Sequence, residues 1–122
     1  RVKGPFNISS VGQEVAIAAI QDIEYVESCR KENLRLREQL ASELIKIKIP
    51  CDRSFANFLL LRFQSHNFSK LADSFLYKNG LIVRDVSNYG LKSALRVSIG
   101  TSEDCDRVLE YLTKFQEKYH AV

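Results

Sequence analysis

Apolar residues recur every three or four positions near both ends of the chain, and this spacing predicts helices there. One helix is predicted from Val11 onward, with Ser9 or Ser10 as its N-terminal cap. A second is predicted from about Glu24 to Ser42, with a charged outer face. A long final helix carries an apolar stripe made of Cys105, Val108, Leu109, Leu112, Phe115 and Tyr119.

The middle of the chain has the denser or alternating apolar runs that are typical of strands. Strands are predicted over "LIKIKIP" (44–50), "ANFLLLR" (56–62), "LIVR" (81–84) and "LRVSI" (95–99). Between the second and third of these, Ser69 is expected to cap a short helix that closes at Asn79-Gly80. Thr101 and Asp104 form a capping-box pair before the final helix.

The predicted order of elements is α-α-β-β-α-β-β-α. Because helices and strands do not alternate strictly, we expect an α+β fold with a mostly antiparallel sheet of about three or four strands, covered by helices. At 122 residues the chain has the size of one ordinary domain.

Two arginines occupy unusual places in these strands. If Leu95 and Val97 face the core, Arg96 lies on the opposite face, and Arg84 ends the strand before it. Arginines on successive strands joined by one loop can converge on one anion, since the guanidinium matches carboxylate and phosphate geometry. The residues alone leave open a structural role, in which each side chain covers apolar surface and extends its charge into water.

Composition narrows the classes of function. The chain is 45% hydrophobic and 27% charged, which is typical of a soluble globular protein, and its net charge of +3 alone argues neither for nor against a nucleic-acid partner. The strands "LIVR" and "LRVSI" contain no aromatic residue of the kind that RNA-binding sheets expose, so we expect no nucleic-acid partner. No apolar run is long enough to span a membrane. Its three cysteines lie far apart, so we expect free thiols, no metal site and a cytoplasmic protein. No catalytic constellation is apparent. The absence of methionine leads us to expect a piece of something longer.

Three motifs in order resemble one enzyme family. "GPFNISSVGQEVAIAAIQD", "RSFANFLLLRF" and "GLIVRDVSNYGLKSALRVSIGTSEDCDRVLEYL" are similar to the C-terminal end of histidinol-phosphate aminotransferases, over about Gly4 to Leu112. Lys92 and Arg53 replace prolines that are usual in that family. The family's S-K-x-[FY]-G-L-x-G-x-R motif, which contains the Schiff-base lysine, is absent and would lie before Arg1.

The resemblance implies the C-terminal small domain of a fold-type I pyridoxal-phosphate enzyme. Residues 1–42 would link to an absent large domain, and residues 43–122 would form the small domain. The whole enzyme would be a cytoplasmic homodimer that moves an amino group between glutamate or 2-oxoglutarate and histidinol phosphate or imidazole-acetol phosphate. Arg96 and Arg84 would bind the anionic group of the substrate, with Tyr89 and Asn57 as further candidates. No catalytic residue, metal or bound cofactor is expected in this chain, which should be inactive alone.

Other interpretations remain at this point. Related pyridoxal-phosphate enzymes, among them threonine-phosphate decarboxylase and aromatic aminotransferases, share the fold implied by the resemblance. The β-α-β-β-α order from Ala56 to Tyr119 also fits a stand-alone ferredoxin-like module that binds a small ligand, or an interaction domain whose arginines bind acids of a partner.

Overall fold

The computed structural model describes residues 6–120, without the side chain of His120. Over these residues the chain forms four helices, one 3-10 turn and a three-stranded sheet. The helices are α1 Ser10–Gln21, α2 Ile23–Lys46, α3 His66–Lys78 and α4 Ser102–His120. The strands are β1 Phe58–Arg62, β2 Arg84–Asp85 and β3 Ala94–Ser98, and the 3-10 turn is Ser87–Tyr89. The predicted α+β class is confirmed.

Side-chain caps fix where α1 and α4 begin. Ser9 Oγ accepts a hydrogen bond from the Gly12 amide at the start of α1. Before α4, Thr101 Oγ1 accepts from the Asp104 amide, and the Asp104 carboxylate accepts from the Thr101 amide in return. Both caps use residues that the sequence predicts for them.

The chain divides into two compact units at Glu32 and Asn33, inside α2. In the first unit, α1 has no buried residue. The second unit contains the sheet, α3, α4 and a hydrophobic core. The predicted boundary between Ser42 and Glu43 refers to the parts of a larger protein and stays a prediction.

The sheet is antiparallel, with the strand order β1-β3-β2. In the β1–β3 pair, Leu59 lies opposite Val97 and Leu61 opposite Leu95, and all four side chains are buried. Because side chains alternate along a strand, the neighbouring positions form a second face that points away from the core. We call this second face the arginine face; its members are Phe58, Leu60, Arg62, Arg84, Ala94, Arg96 and Ser98.

The core lies between the opposite face of the sheet and three helices. Leu36, Leu40 and Leu44 come from α2, and Ala72 and Leu76 come from α3. From α4 the core receives Cys105, Val108, Leu112 and Phe115. The fully buried ring of Phe115 packs against the rings of Phe63, Phe68, Phe75 and Tyr119, at centroid distances of 5.0 to 6.5 Å.

Three local predictions need correction. The strand predicted over 44–50 is wrong as a strand, because α2 continues to Lys46 and buries Leu44 completely; β pairing begins only at Cys51, which bridges to Leu61. Ser69 is not the cap of α3: Ser65 Oγ accepts from the Phe68 amide, and Ser69 is buried within the helix. Of the strand predicted over "LIVR", only Arg84 pairs, together with Asp85.

Replacing Phe115 by alanine should remove the centre of the aromatic cluster. A fully buried phenylalanine leaves a cavity that its neighbours fill only in part, so we expect the free energy of unfolding to fall by about 3–5 kcal/mol. Urea unfolding followed by circular dichroism measures the change. Glu117→Ala, at an exposed position of the same helix, is the control and should change the free energy by less than about 0.5 kcal/mol. Equal effects of the two variants would contradict this packing.

Candidate functional site

The strand register places the two predicted arginines directly opposite each other. Arg84 of β2 is the register partner of Arg96 of β3, so both side chains leave the sheet on the arginine face. Arg84 is exposed and Arg96 is half-buried. The sequence predicts that these residues meet, and the structure brings them together; their role in binding stays a prediction.

This pairing of like charges is unusual, because like charges directly opposite each other destabilise a sheet. Among residues 6–120, neither Arg84 nor Arg96 has an ion pair with an acidic side chain. Arg62, on the same face, differs: its guanidinium donates to both oxygens of Asp52, at 3.1 and 2.6 Å. The sheet therefore neutralises one arginine and leaves two neighbouring cations available to an anion.

Tyr89 joins the pair through Arg84. The Arg84 guanidinium donates to Tyr89 Oη at 2.9 Å, and its central carbon lies 5.8 Å from the centroid of the tyrosine ring. Tyr89 ends the 3-10 turn, and Gly90, with a φ of 82°, lets the chain reverse there in a conformation that other residues rarely adopt. The phenol is thereby held beside Arg84 although it comes from a loop.

Phe58 belongs to the same cluster, and the sequence reasoning missed it. Its ring lies under the Arg96 guanidinium, with 5.3 Å between the central carbon and the ring centroid. The alternation of β1 contains the signal: Phe58, Leu60 and Arg62 share one face. The register that places this face beside Arg96 is set only by the tertiary structure.

Asn57, the fourth predicted residue, stands apart from this cluster. Its backbone carbonyl accepts from the Ile99 amide at 2.8 Å and so continues the pairing of β1 with β3. No hydrogen bond joins its side chain to Arg84 or Arg96 among the contacts of the described residues. A role for Asn57 in binding stays a prediction.

A buried arginine fixes the chain just before β1. Arg37 of α2 is only 9% exposed, and its guanidinium donates to the Ala56 carbonyl at 2.7 Å and to Asn33 Oδ1 at 3.3 Å. It lines a cavity of about 330 Å³ together with the loop that carries Cys51 and Phe55. Since Ala56 precedes Asn57 and Phe58, this contact helps to set the position at which β1 begins.

Asp85 ties the loop after β2 to α3. Its carboxylate accepts a hydrogen bond from Lys70 Nζ and another from the Ser87 amide, the latter at 2.8 Å. Lys70 first, and then the Ser87 amide, lower the pKa of Asp85 from 3.8 to about 2. The carboxylate is therefore ionised at neutral pH.

The described residues contain neither a cluster of metal ligands nor a helix that could cross a membrane. Within residues 6–120, no group of three or more histidine, cysteine or acidic side chains is arranged to hold a metal ion. Over the same part of the chain, no helix is both long and apolar enough to cross a membrane.

The pH dependence of stability should report on Asp85. Because its pKa is lower in the folded chain than the usual 3.8, its stabilising contribution is complete above about pH 4 and is lost as the pH falls toward 2. Asp85→Asn should therefore reduce the loss of stability between pH 4 and pH 2, as measured by urea unfolding at a series of pH values. A variant that loses stability over this interval as steeply as the wild type would contradict the assignment.

Comparison with known proteins identifies the family to which the chain is similar. The aminotransferase class I and II family matches residues 1–112. Histidinol-phosphate aminotransferase from Dinoroseobacter shibae is 45% identical over 116 residues, which cover 95% of this chain and 32% of that protein. The enzyme of the same name from Granulibacter bethesdensis is 45% identical over 115 residues, which cover 94% of this chain and 31% of that protein.

A solved structure shows the same fold. Histidinol-phosphate aminotransferase from Sinorhizobium meliloti, in complex with pyridoxal-5'-phosphate, superimposes with a TM-score of 0.84 at 18% identity, over 96% of this chain and 32% of that one. The chain thus spans about a third of the length of the relatives that it matches. On the family match and the two curated relatives, the chain belongs to the class I and II aminotransferases.

Proposed function

We propose that the chain is the C-terminal small domain of a histidinol-phosphate aminotransferase of histidine biosynthesis, in which Arg84 and Arg96 bind the anionic group of the substrate. The observation that carries this proposal is the register that sets these two arginines side by side without acidic partners among the described residues. The 45% identity to curated enzymes of that name supports the choice of substrates. It favours this enzyme over related decarboxylases or aromatic aminotransferases, and over a stand-alone ferredoxin-like module.

The proposed role of the arginines follows from the substrates. Histidinol phosphate and imidazole-acetol phosphate have a phosphate, and glutamate and 2-oxoglutarate have carboxylates, so each reactant offers an anion. Two guanidinium groups bind either group through paired hydrogen bonds and keep their charge at any physiological pH. Holding the anion orients the reacting carbon, and this contributes to the rate through position rather than through bond chemistry.

The arginine face does not fit covalent attachment of the pyridoxal phosphate that such an enzyme uses. A lysine that attacks an aldehyde must be a neutral amine, and it usually loses its proton through burial. None of the described residues that form this face is a lysine. Lys70 is bonded to Asp85, the residue after Arg84, and that hydrogen bond raises the pKa of Lys70 and favours the ammonium form. We infer that the cofactor is held by a part of the enzyme outside this chain, and that the chain alone does not transaminate. Assembly as a homodimer and a cytoplasmic location stay predictions.

The chain alone should bind no stoichiometric pyridoxal phosphate. Mixing the two and recording the visible spectrum, followed by borohydride reduction and mass spectrometry, should show only scattered, substoichiometric labelling of exposed lysines. The same chain unfolded in urea and treated in parallel gives the level of nonspecific labelling. A one-to-one adduct at a single lysine would show that this chain itself holds the cofactor.

In the full-length protein, Arg96→Ala should reduce the binding free energy of the transition state by about 2–5 kcal/mol, because it leaves the substrate anion without its partner. This corresponds to a decrease in kcat/KM of roughly 30- to 4,000-fold. Arg84→Ala should act in the same direction. Arg62→Ala is the matched control, since it removes an arginine from the same face that is already neutralised by Asp52. Steady-state kinetics with histidinol phosphate and 2-oxoglutarate measure the effect, and unchanged kcat/KM for Arg96→Ala would remove it from the site.

A further inference from the structure

The hydroxyl of Tyr89 can still donate a hydrogen bond. Because Oη accepts its described hydrogen bond from Arg84, its own O–H is not used in that contact. Tyr89 is 62% exposed, and its ring lies beside Arg84, the register partner of Arg96. A phenol in this position can add one neutral donor to the charged donors of Arg84 and Arg96.

The position of the Tyr89 phenol depends on contacts that fix the loop from which it comes. Between Arg84 and Tyr89 the chain leaves the sheet after Asp85, makes one 3-10 turn and reverses at Gly90. Asp85 Oδ1 accepts from the Ser87 amide, which sets the start of that turn, while Oδ2 accepts from Lys70 on α3. We call these two contacts of one carboxylate the Asp85 clasp.

We infer that Lys70 and Asp85 are positioning residues that hold the Tyr89 hydroxyl on Arg84, so that Tyr89 becomes a third donor for a phosphate-type anion. The inference rests on the anion site proposed above and extends it to residues that do not touch the anion. Lys70 and Asp85 act through the backbone of the 3-10 turn. The anion would meet two guanidinium groups and one phenol.

The charge of Asp85 and its positioning role predict opposite changes in anion affinity for the substitution Asp85→Asn. Asp85 follows Arg84 directly and is ionised at neutral pH. If its charge alone mattered, Asp85→Asn would remove a repulsive carboxylate and tighten the binding of an anion. If its geometry matters, the same change frees the turn, and binding weakens.

The experiment is a titration of the isotopically labelled 122-residue chain with inorganic phosphate, followed by amide chemical shifts in NMR spectra at pH 7 and fixed ionic strength. We expect saturable binding by the wild type and binding about 3- to 10-fold weaker by Asp85→Asn, the size expected for the net contribution of one ordinary hydrogen bond. Asp85→Glu keeps the charge but lengthens the side chain, and should weaken binding similarly. Tighter or unchanged binding by Asp85→Asn would overturn the positioning role.

A double-mutant cycle identifies the residue through which the clasp acts. Tyr89→Phe should weaken binding, and adding Asp85→Asn to it should cause no further weakening. If Asp85→Asn weakens binding as much in the Tyr89→Phe background as in the wild type, the clasp does not act through Tyr89 and the inference fails. Glu110→Gln is the matched control, because it removes a carboxylate that is paired with Lys114 on the surface of α4; it should leave the affinity unchanged.

Two further variants separate this inference from the anion site itself. Arg84→Ala and Arg96→Ala should each abolish saturable binding. If the wild type shows no saturable shifts, or if these two variants bind as it does, the anion site fails and the positioning role fails with it. If the wild type binds and the arginine variants do not, the anion site stands, and the Asp85 variants alone decide the role of the clasp. Amide spectra recorded without phosphate confirm that each variant is folded.

Discussion

The antiparallel register of β3 against β2 is the constraint on which the rest of this structure depends. It sets Arg84 opposite Arg96, an arrangement that electrostatic repulsion opposes. The sheet keeps this register because a slip by one residue would expose Leu95 and Val97 and bury Arg96. Burial of apolar side chains on one face of the sheet therefore stabilises the close approach of two cations on the other.

The helices determine which face of the sheet remains open. α2, α3 and α4 all contribute to the core on the side of Leu59 and Leu61. The arginine face thus contains groups that bind one another or remain available: Arg62 with Asp52, Arg84 with Tyr89, and Arg96 over the ring of Phe58. Because their backbones belong to paired strands, the two arginines are held more rigidly than loop residues would be.

The separation of anion binding from cofactor binding that we propose follows from the groups in this chain, which spans about a third of the length of its relatives. It offers cations that never lose their charge, but no lysine on this face suited to attack an aldehyde. Binding the anion and holding the cofactor are separate chemical tasks, so they can lie on different parts of one chain. In the inference drawn above, the Asp85 clasp acts on anion binding through the placement of a single phenol, although Asp85 and Lys70 do not touch the anion.

The sequence by itself determined the four helices, the caps of α1 and α4, the alternation that places Arg96 opposite a buried face, and the family, because each of these depends on residues close together in the chain. Only the tertiary structure decided the rest. Residues 44–46 alternate like a strand but stay helical, because Leu44 is buried in the core. The pairing of Arg84 with Arg96, the ring of Phe58 and the bond from Lys70 to Asp85 join residues 12 or more positions apart or on different elements. Local spacing has no information about such pairs, since their distance is set by how strands and helices pack.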